Sequence, residues 1–157
     1  LAKPAGEAEL SIEGCRFMPH VLALRAGQTL KLTNADPVAH NVKADGFNNQ
    51  FNPIIPPARD GQKSELTVPN LVPDRRPIQV SDNIHPWMRA YIAVFDHPYF
   101  AVIDEDGGFE IKNAPAGPAR LVVWQEKLGF GEGRGAGKEI EIIAGQTTDL
   151  GELKLMP

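Results

Sequence analysis

Proline and glycine recur so often along this 157-residue chain that a helix has almost nowhere to form. Fourteen prolines and fifteen glycines leave hardly any window of a dozen residues for a helical stripe. Proline removes an amide donor and collides with the preceding turn, and glycine pays the largest backbone entropy. Short runs of Val, Ile and Leu fill the gaps instead, set off by turn signals at Ala26-Gly27-Gln28, Asp60-Gly61 and Asp106-Gly107. Leu22, Leu24, Leu30 and Leu32 alternate with Ala23, Arg25, Lys31 and Thr33, the period of a strand with one wet face. These features predict an all-β sandwich or barrel.

Strands are expected over Ala8–Ile12, His20–Leu24, Thr29–Asn34, His40–Lys43, Ser64–Val68, Pro77–Ser81 and Arg89–Phe95. A second set is expected over Phe100–Ile103, Gly108–Lys112, Ala119–Gln125, Lys138–Ile143 and Thr147–Leu153. Ala44–Lys63 has no clean period and reads as a long irregular loop. Loops are long before Asp96 and tight after it, which places a lobe boundary around Asp96–Phe100. The expected organisation is a flexible tail over 1–8, a first domain over 9–96 and a second lobe over 97–157.

Charge excludes some function classes. The formal net charge is −4 and the basic residues are scattered, so no clustered patch is available to track a nucleic-acid backbone. No apolar run approaches the roughly 20 residues of a membrane span. The opening stretch Leu1 to Ala8 reads as the start of a mature chain after removal of a leader, and a trimmed chain would start the same way; a periplasmic or secreted location is implied mainly by the resemblance described below. Cys15 is the sole cysteine, so no internal disulfide can form. Asp104-Glu105-Asp106-Gly107 is too short for a calcium loop and reads as a hairpin turn, and the glycine-rich run 129–137 opens no helix to cradle a phosphate. No nucleophile, base and orienting acid occur together, so hydrolase chemistry has no support.

Metal chemistry has more. His40 stands at the entry to an expected strand, and His85 lies in the loop Ser81-Asp82-Asn83-Ile84-His85-Pro86-Trp87-Met88. Turns in that loop can bring Asp82, His85 and Met88 to one point, and Pro86 stiffens it. A remote histidine joined to such a cluster builds a mononuclear site, and imidazole and thioether suit copper. Plainer roles stand beside these. His40 could bond a backbone carbonyl, Asp82 could form an Asx-turn, and Met88 could fill core. Trp87 reads as a shield over the site or as ordinary surface cover. His97 reads as fixing a joint between lobes, and His20 as structural or as part of a secondary site.

The segments Ala26-Gly27-Gln28-Thr29-Leu30 and Asn34-x-Asp36-x-x-x-His40-Asn41-Val42 resemble the first half of a cupredoxin. His85-Pro86-Trp87-Met88 resembles the amicyanin ligand loop Cys-x-x-His-Pro-x-Met. Together with Asp96-His97-Pro98-Tyr99-Phe100-Ala101-Val102 and Trp124-Gln125-Glu126, it is similar to bacterial cupredoxin-like proteins of the methylamine-utilization type. The resemblance implies a Greek-key cupredoxin-like sandwich with one copper site at His40, His85 and Met88, in electron transfer or copper handling with a redox or copper-exchange partner. Asp82 stands where those proteins carry the ligand cysteine, and Gln125 where they often carry histidine. Carboxylate is a harder donor than thiolate, so the expected site is non-blue, of lower potential, and open to zinc as well as copper. Cys15 matches a family cysteine outside the ligand loop and could restore a thiolate only by folding over to the same point. With Asp104-x-x-Gly107-x-Phe109-x-Ile111 and Pro115-x-Gly117, the second lobe resembles the small transthyretin-like, carboxypeptidase-regulatory sandwich, which implies a packing or docking module. A degenerate, metal-free cupredoxin serving as a structural or interaction module is the competing expectation.

Overall fold

The computed structural model describes residues 6–132 and 135–155. By internal contacts the chain forms two compact units, Leu1–Glu110 and Ile111–Pro157. Among the described residues every regular element is a strand, as the punctuation by proline and glycine requires. Among the described residues no helix is long and apolar enough to cross a membrane.

The first unit is a two-sheet sandwich. One sheet holds β1 (Glu7–Ile12), β2 (Phe17–Met18), β4 (Thr29–Asn34) and β9 (Ser64–Val68), in the order β2-β1-β4-β9. The other holds β3 (Val21–Arg25), β6 (Lys43–Asp45), β7 (Gln50–Phe51), β10 (Ile78–Ser81) and β11 (Arg89–Phe95), in the order β3-β11-β10-β6-β7. A short ladder of β5 (His40–Asn41) with β8 (Ile54–Ile55) completes the unit. β1 runs parallel to β4, and β3 runs parallel to β11 with Val21 opposite Tyr91. The remaining pairs are antiparallel. The chain therefore crosses repeatedly between sheets.

Alternation builds the core. Leu10, Ile12, Leu30 and Leu32 from one sheet meet Leu24, Ala44, Ile78, Val80, Ala90, Ile92 and Val94 from the other in one buried cluster. Each large aliphatic side chain so buried contributes about 1.5–3 kcal/mol. The link from β3 to β4 is set by Gly27, whose φ of 90° only glycine adopts without strain, while Gln28 returns both its amide and its side-chain oxygen to Arg25.

Several expectations need correction. Ala44–Lys63 is not one irregular loop, because Phe51 packs against the core and Ile55 is fully buried, drawing β7 and β8 out of it. Phe100–Ile103 and Gly108–Lys112 form no strand. Val102, Ile103 and Phe109 face solvent, and a strand without a buried face lacks the packing that sustains it. Thr147–Leu153 likewise forms no strand. Of the tail expected over 1–8, residues 1–5 lie outside the described residues, and Glu7 and Ala8 open β1.

The second unit pairs β12 (Gly117–Leu121) with β15 (Lys138–Ile142), and β13 (Trp124–Gln125) with β14 (Gly129–Phe130), both antiparallel. Within the glycine-rich run, Gly133 and Arg134 lie outside the described residues.

Candidate metal centre

The ends of β4 and β10 bring the chemistry together. β4 finishes at Asn34, whose side chain is fully buried and fully used. Its Nδ2 donates to the carbonyls of Val38 and Pro56, both at 2.8 Å, and its Oδ1 accepts from the Asp36 amide at 2.9 Å. The connection Ala35–Ala39 is thereby fixed, and it delivers His40 at the start of β5 with 0% exposure.

β10 finishes at Ser81, and the next residue, Asp82, divides its oxygens between two tasks. Oδ1 accepts from the amides of Ile84 at 2.7 Å and His85 at 3.1 Å, which winds the following loop. Oδ2 lies 2.7 Å from Nδ1 of His40 and 3.1 Å from Nδ1 of His85. The Asx-turn and the converging carboxylate are the same residue. The Met88 amide then donates to the His85 carbonyl at 2.9 Å and closes the loop into β11.

Two imidazoles that are far apart in the chain thus meet at one carboxylate oxygen, with ring centroids 4.4 Å apart. Burial is graded across the group. The side chains of His40 and Asp82 are 0% exposed, and that of His85 is 17% exposed. Trp87, 67% exposed, sets its ring edge-to-face on His85 at 5.3 Å.

Two further residues organise the site, and the sequence reading did not assign them a role. Asp36 places Oδ2 3.0 Å from Nε2 of His40, on the ring edge opposite Asp82. The amides of Gly14 and Cys15 hold the Asp36 carboxylate at 2.7 and 2.8 Å. Both residues have positive φ, 60° and 53°, which turns successive amides towards one anion. Asn41, next to His40, accepts from the Asn83 amide at 2.7 Å and donates to Asn52 at 2.6 Å. It clamps the Asp82–Met88 loop to β5. The signal for both lay in the segment Asn34-x-Asp36-x-x-x-His40-Asn41, where polar residues flank a buried histidine.

The electrostatics follow from this packing. Burial, the largest single effect at Asp82, pushes its carboxyl up, but hydrogen bonds from His40, His85 and the Ile84 and His85 amides together hold it below 3.8. At Asp36 burial again works upward and is outweighed by the Cys15 and Gly14 amides and by His40. Both directions favour the ionised form of the carboxylate, the form a cation would need.

The donors fit a single ion. One atom each from His40, Asp82 and His85 lie within 4.8 Å of one another. Donors of a tetrahedral ion with bonds of about 2.0–2.1 Å stand roughly 3.3 Å apart, so Oδ2 would retreat about 0.6 Å from Nδ1 of His40 and about 0.2 Å from Nδ1 of His85. Asp36 on the far nitrogen of His40 supplies the carboxylate–histidine pairing that fixes a ligand's ring and tautomer.

The other expected residues are placed as follows. Met88 is buried within the core cluster. Cys15 is half-buried and groups with Asp36 and His40 rather than with Asp82 and His85. His97 accepts the Tyr99 amide through Nδ1 at 3.2 Å and stacks on Tyr99. His20 meets Tyr91 edge-to-face and accepts its amide at the backbone carbonyl. Neither joins a donor group among the described residues.

No family model matches the chain, and no curated protein matches it. Among solved structures, it is similar to the copper-containing nitrite reductase of Thermus scotoductus (TM-score 0.48, 18% identity, 60% of this chain and 23% of that one). It is also similar to amicyanin from Paracoccus versutus (TM-score 0.44, 20% identity, 58% of this chain and 83% of that one). A purple cupredoxin from Nitrosopumilus maritimus is similar at TM-score 0.43 and 21% identity, over 56% of this chain and 99% of that one.

Proposed function

We propose that this chain is a cupredoxin-like metal-binding protein of the periplasm or the extracellular space, with one mononuclear copper site that lacks a thiolate. The ligands are Nδ1 of His40, Nδ1 of His85 and Oδ2 of Asp82, with Met88 as a fourth. Zinc suits the same set. The single observation that carries the reading is the convergence of two imidazole nitrogens on one buried carboxylate oxygen. One-electron chemistry would come from the bound copper, and a hard carboxylate in place of sulfur favours the cupric state. The chain's own residues do the rest. Asp36 orients His40, Asn41 holds the loop in register, and Trp87 covers the partly exposed ring of His85. The role is electron transfer or copper exchange with a partner protein, and the region 97–157 serves as a regulatory-like packing or docking lobe.

A second reading is supported by the same distances. At 2.7 and 3.1 Å both imidazoles satisfy Asp82 directly, so the group is also stable as a closed hydrogen-bond network in a metal-free interaction module. Copper(II) titration of apo protein, followed by EPR and visible absorption, separates the two. One equivalent bound with a tetragonal, nearly colourless signal, lost in His40→Ala and His85→Ala, supports the copper site. Absence of stoichiometric binding supports the module. Asp82→Cys is expected to create an intense visible thiolate band; copper binding without it would reject Asp82 as a ligand.

A further inference from the structure

Cys15, Asp36 and His40 form a second donor group, on the outer edge of the same imidazole. One donor atom from each lies within 4.8 Å of the others. Asp36 faces Nε2 at 3.0 Å, while Nδ1 is turned towards Asp82. The Gly14–Cys15 turn is pinned by its two amides on Asp36, so the cysteine is held beside the carboxylate rather than swinging free. His40 is fully buried and Asp36 nearly so, whereas Cys15 is half-buried and packs against the core cluster.

We propose that Cys15 Sγ, an Asp36 carboxylate oxygen and Nε2 of His40 form a second cation site, selective for a thiophilic d¹⁰ ion such as Zn²⁺ or Cu⁺. Three donor types fit this class. Thiolate and imidazole are the ligands that Zn²⁺ and Cu⁺ prefer, and three protein ligands with a water in the fourth position make a complete open zinc site. Bonds of about 2.0–2.3 Å require donors roughly 3.3–3.6 Å apart, so the three atoms, which lie within 4.8 Å of one another, close in on the ion as it binds. Binding displaces the thiol proton to solvent and the hydrogen bond between Asp36 and His40. Nε2 binds through its lone pair while the ring proton stays on Nδ1, towards Asp82; an ion on Nδ1 as well makes His40 a bridging imidazolate and releases that proton to solvent too. The site stands whether or not the Asp82 edge carries metal.

Cadmium(II) titration of the full chain tests this through the ultraviolet thiolate-to-cadmium absorption. The band is expected to saturate at one ion per thiol in the wild type and to persist in His85→Ala, where the inner group is broken. It is expected to vanish in Cys15→Ser, which alters only a half-buried loop side chain, with far-ultraviolet circular dichroism unchanged. Cadmium-edge absorption spectroscopy is expected to find one sulfur among nitrogen and oxygen neighbours, and excess Zn²⁺ to erase the signal. No band in either the wild type or His85→Ala overturns the second site, and copper binding at the inner group would survive that result. Two sulfurs per ion also overturn it, since they require thiols from two chains.

Discussion

His40 has an ionised carboxylate against each ring nitrogen, and the acid behaviour of the protein follows. Asp36 and Asp82 are both held below the ordinary value of 3.8 by hydrogen bonds that outweigh their burial. The unfolded chain therefore takes up protons first as pH drops. The stability these groups contribute is fully present above about pH 4 and is lost as pH falls through their lower folded values. Urea denaturation of apo protein across that range is expected to show the midpoint falling below about pH 4. In Asp82→Asn the decline is shallower, and stability at neutral pH is lower by about 1–3 kcal/mol, because buried imidazoles lose their anionic partner. An unchanged acid slope in that variant would contradict the assignment. At this scale His40, Asp82 and His85 were legible from the loop and from the histidine at a strand entry. Asp36 was not, because its partner Gly14–Cys15 amides are more than twenty positions away.

Strands of five to seven residues bounded by turn chemistry are what the sequence declares most openly. Thr29–Asn34, Ser64–Val68 and Arg89–Phe95 match β4, β9 and β11 at both ends, since each sets aliphatic side chains against the core and stops at a turn. Two-residue strands such as β5 and β8 hold no period at all and exist only through the ladder that pairs His40 with Ile55. Leu32 lies at the centre of the parallel and antiparallel ladders of β4, opposite Leu10 and Leu66, and is fully buried. Leu32→Ala is expected to cost about 2–5 kcal/mol by chemical denaturation, with copper stoichiometry kept wherever the protein remains folded. Asn41→Ala should do the reverse. It frees the Asp82–Met88 loop from β5 and is expected to weaken copper binding by about 10–100-fold with a smaller change in unfolding midpoint. Equal affinity for copper in that variant would remove the clamp from the site.

Every residue assigned to either donor group belongs to the unit Leu1–Glu110. A chain ending at Glu110 is expected to fold and to bind the same equivalent of copper, as read by circular dichroism and titration. Loss of binding with the fold intact would show that the second unit completes the site. The division into units was only partly legible. Loop style changes at Asp96, yet the contact boundary falls at Glu110, because segment style reports local turn chemistry and not which residues pack together. The parallel seam of β3 with β11 has a kinetic consequence. Val21 and Tyr91 become neighbours only after closure of a loop of about 70 residues, which places this chain among slow folders of high contact order, on the millisecond-to-second scale. His40 and Asp82 both lie within that loop, 42 positions apart, so a newly made chain offers incoming ions only scattered side chains until the sheet has zipped shut.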